Sequence, residues 1–335
     1  MSLFDPATYH AWANAFLQGI PFARASGMRT ESIAEGRARV SMEARPEWTG
    51  DTIRGQLHPG CATVLADTAC GMAVGTALNP IVPFATLDLR MDYLRPAQAG
   101  EALVCEAHCH RLSRSVAFVR GEVFQPGQTD PVATVNATFM LGTANQRRKD
   151  VSAAAAGEGQ AAAAAAQANP LPPVAAEPQT AASPLLARLS ELQASPALPL
   201  GRSPYVDYLA LERLVLPGDS GQHDMLFRMP FNPDLIGNPV LPALHGGVVA
   251  GFAESAAVLH LAYSNALQGA VLPPRGVDFA IDYLRSAKPI DTWARCTTVR
   301  QGNRVALVHV HVWQDDPARP IVSARSHCLL PRNEA

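Results

Sequence analysis

The feature that most constrains this chain is an internal repeat. Residues 50–69, GDTIRGQLHPGCATVLADTA, align without a gap with residues 237–256, GNPVLPALHGGVVAGFAESA. Two further matches follow in the same order: LDLRMDYLRPA with VDFAIDYLRSA, and SVAFVRGEVFQ with RVALVHVHVWQ. Similar segments in one order and at nearly constant spacing indicate a duplicated domain. The chain is therefore predicted to contain one structural unit twice.

A stretch of different composition separates the two copies. Residues 143–183 are dominated by alanine and proline and contain no aromatic residue and almost no large aliphatic one. Such a segment cannot bury enough apolar surface to offset its ordering entropy, which is typical of a linker. We predict an N-terminal domain at 1–142, a linker at 143–183 and a C-terminal domain at 184–335. The total of 335 residues agrees with two domains of about 150 residues each.

Each copy shows the same order of local patterns. A short amphipathic helix, at 6–19 in the first copy and 205–213 in the second, precedes an alternating strand, ARVSMEA or HDMLFRM. After a loop, an apolar run of about 20 residues starts at His58 or His245 and predicts a helix buried on nearly every side. Three or four strands with period-two alternation follow. This order indicates an α+β fold in which an antiparallel sheet wraps around a long central helix.

Composition and charge argue against several classes of function. The net charge of −2 and the pI near 6.5 give no general attraction to nucleic acid or to an anionic membrane. The longest apolar stretches contain Asp67 or Glu254, so no transmembrane helix is predicted. The N-terminus lacks the pattern of a signal peptide, and we expect a cytoplasmic protein. No Cys/His cluster has zinc-ligand spacing, so neither a metal nor another cofactor is expected.

The repeated loop and helix carry a recognisable motif. The pattern G-[ND]-x-x-x-x-x-L-H-x-G, followed by an acid on the same helix, resembles the PaaI-like acyl-CoA thioesterases of the hotdog superfamily. The DYLRPA and DYLRSA segments and the later strands are also similar to that family, so the resemblance covers both halves. It implies two tandem hotdog domains, paired as a pseudo-dimer with active sites between them. It also implies hydrolysis of an acyl-CoA to a free acid and CoA, and further association into a homo-oligomer of tandem chains.

Asp67 and Glu254 are the most informative single residues. Each lies in the middle of an apolar helix, where an unpaired carboxylate is costly. A structural acid, capping backbone groups or paired with an arginine, is one interpretation. An acid at the same position in both copies favours a functional role for at least one of them. That acid could activate water as a general base or attack as a nucleophile, and the sequence leaves both roles open.

The loop before each helix differs between the copies. His58 and His245 have either a structural role, closing the loop, or a direct catalytic one. In the family that the motif resembles, the backbone N–H after this histidine polarises the thioester carbonyl. The second copy has Gly246 there, whereas the first has Pro59, which carries no N–H.

The polar position upstream also differs, with Asn238 in the second copy and Asp51 in the first. The resemblance implies that the asparagine positions the water or the acid. An aspartate there would add a negative charge beside the developing oxyanion, which is unfavourable.

Helix geometry indicates that each site combines residues of both copies. His245 and Glu254 are nine residues apart on one helix, or about 13 Å at 1.5 Å per residue, too far to hold one carbonyl carbon. Two composite sites follow, and we expect only the first to be competent. The first combines Asp67 with Asn238, His245 and Gly246; the second combines Glu254 with Asp51, His58 and Pro59. Weaker candidates for substrate binding are Gly247, Arg114 and Arg304.

Two other functions remain open from the sequence. A hotdog dehydratase or hydratase of 3-hydroxyacyl thioesters would need a His/acid pair, which His245 and Asp67 could supply. A non-catalytic acyl-CoA-binding protein would fit the altered second site. Neither a G-x-S-x-G elbow nor a Walker loop is present, so serine-hydrolase and NTPase functions lack support.

Overall fold

The computed structural model describes residues 6–79, 82–142, 193–196, 203–215, 225–238, 242–266 and 272–331. The segment 143–183 that was predicted as a linker lies outside the described residues. The domain boundaries at 142 and 184 therefore stay a prediction.

The first half contains one long helix and a set of strands on either side of it in sequence. Its helices are α1 (Pro6–Gly19), α2 (Pro21–Ala25) and α3 (Pro59–Ala77). Its strands are β1 (Met28–Ala34), β2 (Arg37–Met42), β3 (Thr49–Asp51), β4 (Gln56–Leu57), β5 (Phe84–Tyr93), β6 (Leu103–Leu112), β7 (Val116–Phe124) and β8 (Ala133–Leu141).

The second half repeats this arrangement. Its helices are α4 (Pro204–Tyr208) and the long α5 (Gly246–Ala266). Its strands are β9 (Gln193–Pro196), β10 (Glu212–Val215), β11 (Met225–Met229), β12 (Ile236–Asn238), β13 (Ala243–Leu244), β14 (Arg275–Tyr283), β15 (Thr292–Gln301), β16 (Val305–Trp313) and β17 (Val322–Leu329).

The two halves share one sheet of 13 strands, in the order β1-β2-β6-β7-β8-β5-β14-β17-β16-β15-β11-β10-β9. The halves meet where β5 pairs with β14 in antiparallel register, with Arg90 opposite Ala280. Because these two residues are also equivalent in the repeat, a pseudo-twofold axis passes between them. The predicted α+β fold, with an antiparallel sheet around a central helix in each half and the halves paired as a pseudo-dimer, is confirmed.

The central helices α3 and α5 pack against each other and against the strands of the shared sheet. Small residues allow this: a β-carbon built on Gly247 would lie only 2.7 Å from Val64 Cα, and one on Gly60 only 3.1 Å from Gly251 Cα. By length and composition α5 could cross a membrane, but 83% of its most apolar window is buried inside the protein. The close packing places the N-terminus of each helix beside the middle of the other.

Two local predictions differ from the structure. The helix expected at 205–213 ends at Tyr208, because Ala210 takes a positive φ of 50° and the chain then forms β10. Strand β1, which pairs with β2, was not predicted. Its burial alternates only in part, which weakens the period-two signal that sequence patterns provide.

Candidate active site

Asp67 of α3 contacts the N-terminus of α5 in the other half. The backbone N–H of Gly247 donates to Asp67 Oδ2 at 2.8 Å. Gly246 is the first residue of α5, and a β-carbon on it would lie 3.1 Å from the same oxygen. The structure therefore brings together Asp67, His245, Gly246 and Gly247, the arrangement expected from the distance along one helix. The N–H that the carboxylate uses is that of Gly247, which leaves the Gly246 N–H outside this bond.

The second oxygen of Asp67 is held by a residue that the sequence did not reveal. Thr86 of β5 donates its hydroxyl to Asp67 Oδ1 at 3.0 Å. The equivalent position of the second copy is Gly276, so a comparison of the two copies strand by strand would have found the difference. The carboxylate, almost completely buried, is fixed at both oxygens.

Both ring nitrogens of His245 are occupied by the protein. Nδ1 accepts the N–H of Gly247 at 3.0 Å, and Nε2 lies 3.2 Å from the Thr68 hydroxyl. That hydroxyl donates to the carbonyl of Val64, so the proton between the two side chains belongs to His245 Nε2. Burial lowers the pKa of His245, with the Asp67 charge opposing the decrease. A neutral ring with both nitrogens engaged closes the loop onto the helix, which favours the structural interpretation of His245.

His58 has the same surroundings in the other copy. Its Nδ1 accepts the N–H of Gly60 at 3.0 Å, and its Nε2 lies 3.3 Å from the hydroxyl of Ser255. The ring stacks on Tyr205 at 4.3 Å, and burial lowers its pKa to about 3. The two histidines thus share one local function, although only one of them precedes a glycine.

Asn238 is the upstream polar residue of the first composite site. It ends the short strand β12, opposite Ala243, and it is exposed. Tyr283, in contrast, reaches the site and donates its hydroxyl to the carbonyl of Gly246 at 3.0 Å. Tyr283, the last residue of β14, therefore anchors the N-terminus of α5.

In the second composite site, the acid is held differently. Glu254 Oε2 accepts from the Thr63 hydroxyl at 3.2 Å, and Thr63 also lies 2.8 Å from the Tyr93 hydroxyl. The other oxygen of Glu254, Oε1, has no hydrogen-bond donor among the described residues. At the position of Thr86 in the first site, the second site has Gly276. Burial raises the pKa of Glu254 to about 7, and hydrogen bonds from Tyr93 and Thr63 oppose the increase.

The charge of Asp51, which was expected to act on the site, is compensated by groups of its own loop. Its Oδ2 pairs with Arg54 at 2.8 Å, and its Oδ1 accepts the N–H groups of Ile53 and Arg54. The carboxylate is turned into its own loop. Pro59, as expected, begins α3 and offers no N–H.

A cavity of about 270 Å³ opens beside this second loop, between the two halves. Its arginines are Arg54, Arg95 and Arg275. Arg114 and Arg304, the weaker candidates for substrate binding, are exposed in hairpin turns and do not line this cavity.

Comparison with known proteins agrees with the duplication. The model of the thioesterase superfamily matches the chain twice, over residues 54–132 and 241–321. The medium/long-chain acyl-CoA thioesterase YigI of Escherichia coli K12 is 30% identical over 140 residues, which are 38% of this chain and 89% of YigI. The chain belongs to the thioesterase superfamily. It is a thioester hydrolase in tandem form, as the motif in the two loops indicated.

Solved structures show the same fold over both halves of the chain. A protein of unknown function with a hot dog fold from Alicyclobacillus acidocaldarius covers 96% of this chain and 98% of its own, with a TM-score of 0.56 at 13% identity. The tesB protein of Mycobacterium avium subsp. paratuberculosis covers 97% of this chain and 100% of its own, with a TM-score of 0.54 at 12% identity. At these identities the likeness concerns the fold, and it confirms two hotdog domains.

Proposed function

We propose that the chain hydrolyses acyl-CoA thioesters at the first composite site, to a free acid and CoA. The observation that carries this proposal is the contact of Asp67 with the N-terminus of α5 from the other half. A carboxylate and an unpaired backbone donor at one point are what thioester hydrolysis requires. Because YigI acts on medium- and long-chain acyl-CoA, we expect the same substrate range here.

The reaction follows from the groups at this point. The first N–H groups of a helix have no partner within the helix, so the Gly246 N–H can bind the thioester carbonyl oxygen. Asp67 takes a proton from water as the water oxygen bonds to the carbonyl carbon. When the C–S bond breaks, the proton passes to the CoA sulfur. Direct attack by Asp67, followed by hydrolysis of the anhydride, uses the same groups and gives the same products.

The neighbouring residues support this chemistry by position. Thr86 and Gly247 hold the two oxygens of Asp67, and Tyr283 fixes the carbonyl of Gly246. His245 positions the loop instead of exchanging protons. We assign Asn238, at the exposed end of β12, to orienting the substrate or the attacking water when the thioester is bound.

The dehydratase alternative needs a histidine that can exchange a proton with the substrate. The ring nitrogens of His245 are both used within the protein, which favours hydrolysis. A panel of acyl-CoA substrates tests this directly. We expect thiol release with saturated medium and long chains, and no change in enoyl-thioester absorbance with 3-hydroxyacyl-CoA. Binding without thiol release from any member of the panel would contradict hydrolysis and favour an acyl-CoA-binding protein.

The role of the Gly246 N–H can be tested by placing at position 246 the proline that the first copy has at position 59. Gly246→Pro should lower kcat about 10²–10³-fold, because it removes one oxyanion donor at a position where proline fits the helix. Gly246→Ala is the matched control, since it adds the same β-carbon near Asp67 and keeps the N–H. Steady-state kinetics should show a much smaller loss for alanine. Equal losses in the two variants would assign the effect to crowding and remove the donor from the mechanism.

Finer assignments complete the proposal. The loop motif assigns the chain to the PaaI-like subgroup. A linker at 143–183 connects the two domains. The tandem chains associate into a homo-oligomer in the cytoplasm. Size-exclusion chromatography with light scattering would measure the assembly.

A further inference from the structure

We infer that the second composite site binds a CoA thioester and does not hydrolyse it. This inference builds on the proposed function of the first site, and it assigns the cavity beside Pro59. The walls come from both halves: residues 50–59 of the first, and residues 273–277 of the second. The cavity therefore occupies the position, related by the pseudo-twofold axis, that a substrate takes in the first site.

The charges of the cavity fit the phosphates of CoA. Arg54, Arg95 and Arg275 line it, and the acid among its lining residues, Asp51, pairs with Arg54. Arg54 is only 23% exposed and also reaches the carbonyl of Pro273 in the other half. Arginine presents a planar set of donors that matches phosphate oxygens. The cavity thus carries net positive charge at the interface of the two halves.

Most of the positive charge of this cavity has no equivalent at the first composite site. At the positions equivalent to Arg54 and Arg275, the other copy has Leu241 and Ala85. The third, Arg95, has an equivalent in Arg285. Two of the three cations therefore belong to the second site alone.

Most of the remaining lining is apolar and suits an acyl chain, although Gln56, His58 and Tyr93 also contribute. Ala62, Leu103, Val258, Val277 and Leu329 contribute to it. A site with a cationic part and an apolar part recognises a ligand that has both phosphates and a hydrocarbon tail.

Each group that performs chemistry in the first site is altered in the second. Pro59 has no N–H to polarise a carbonyl, and Gly276 has no hydroxyl to hold the acid. Glu254 is fully buried behind the cavity wall, where its Oε1 lies 3.8 Å from a β-carbon built on Gly276. Its other oxygen is held by Thr63. A thioester in this cavity meets binding groups but no means of activating its carbonyl.

The test is the number of thioester sites per chain, measured without turnover. Isothermal titration of the Asp67→Asn protein with the non-hydrolysable dodecyl-CoA thioether should give two molecules bound per chain. Adding Arg275→Glu should weaken one of these sites at least about tenfold and leave the other unchanged. Arg120→Glu, the same charge reversal on the outer face of β7, is the matched control and should leave two. Val277→Trp, which narrows the cavity from an exposed position, should act like Arg275→Glu without changing charge.

Several outcomes would overturn the inference. These are one thioether per chain in the parent protein, two unweakened sites in both cavity variants, or dodecanoate binding there as tightly as the thioether. Failure of the proposed function has a different signature. In that case the unmodified chain releases no thiol from acyl-CoA, whatever the number of bound thioethers.

Discussion

Asp67→Asn is expected to lower the kcat for thioester hydrolysis by about 10²–10⁴-fold, the range for loss of a general base. The substitution keeps the shape of the side chain and an oxygen that can accept the Gly247 N–H, so the helix contact survives. It removes the negative charge that takes the proton or attacks the carbonyl. Because the lost interaction acts on the reacting atoms, KM should change far less than kcat. Thiol release under saturating acyl-CoA measures the effect.

The matched control is Glu254→Gln, the same loss of charge at the equivalent position of the repeat. Glu254 belongs to the site whose loop has Pro59 in place of the oxyanion-binding N–H, so this variant should retain most of the turnover. If Asp67→Asn stayed active and Glu254→Gln were inactive, the second composite site would be the catalytic one and the assignment made above would be wrong. Comparable losses in both would mean that each site works, and Pro59 would then need another donor. Far-ultraviolet circular dichroism of both proteins checks that folding is unchanged.

The pairing of residues across the halves could be predicted because it depends on distance along a helix. His245, immediately before α5, and Glu254, in its middle, lie too far apart to share a carbonyl, and this requires the acid of the other copy whatever the side-chain details. The duplication then fixed which residues are equivalent. The fold followed from the same repeat, since period-two strands after a buried helix leave few alternatives.

What the sequence did not reveal depends on side-chain direction. Thr86 belongs to an alternating strand, and nothing in its neighbours indicates that its hydroxyl points at Asp67. Asp51 could not be known to turn toward Arg54, because that contact needs the actual loop. The bond from the Gly247 N–H to Asp67 was not predicted either, because it depends on where the helix begins relative to the carboxylate. The short helix α4 ends at a positive φ that an alanine rarely adopts, so propensity gives no warning of it.

Removing the charge of Glu254 is expected to change how stability depends on pH. Burial raises its pKa in the folded protein from 4.5 to about 7. Between these values the unfolded chain loses the proton while the folded protein keeps it, so the unfolded state binds fewer protons and stability falls as pH rises. Below pH 4.5 both states are protonated and the full stability is present. Above pH 7 the cost of the buried charge is complete, at about 3 kcal/mol for a shift of this size.

Glu254→Gln carries no such cost, so its free energy of unfolding relative to the parent should rise from pH 5 to pH 8 by most of that amount. Urea unfolding at the two pH values measures this difference.

Gly276→Ser is a second, independent test of the same carboxyl group. The serine β-carbon would meet only ordinary van der Waals contacts, and the serine hydroxyl can donate to Oε1 of Glu254, which has no hydrogen-bond partner among the described residues. That bond favours the ionised form, so it should lower the pKa of Glu254 and reduce the loss of stability at pH 8. A constant difference between parent and Glu254→Gln at both pH values would show that this carboxyl ionises alike in the folded and unfolded states. Oε1 of Glu254 would then need a hydrogen-bond donor in the folded protein, and the packing of α3 against α5 does not supply one.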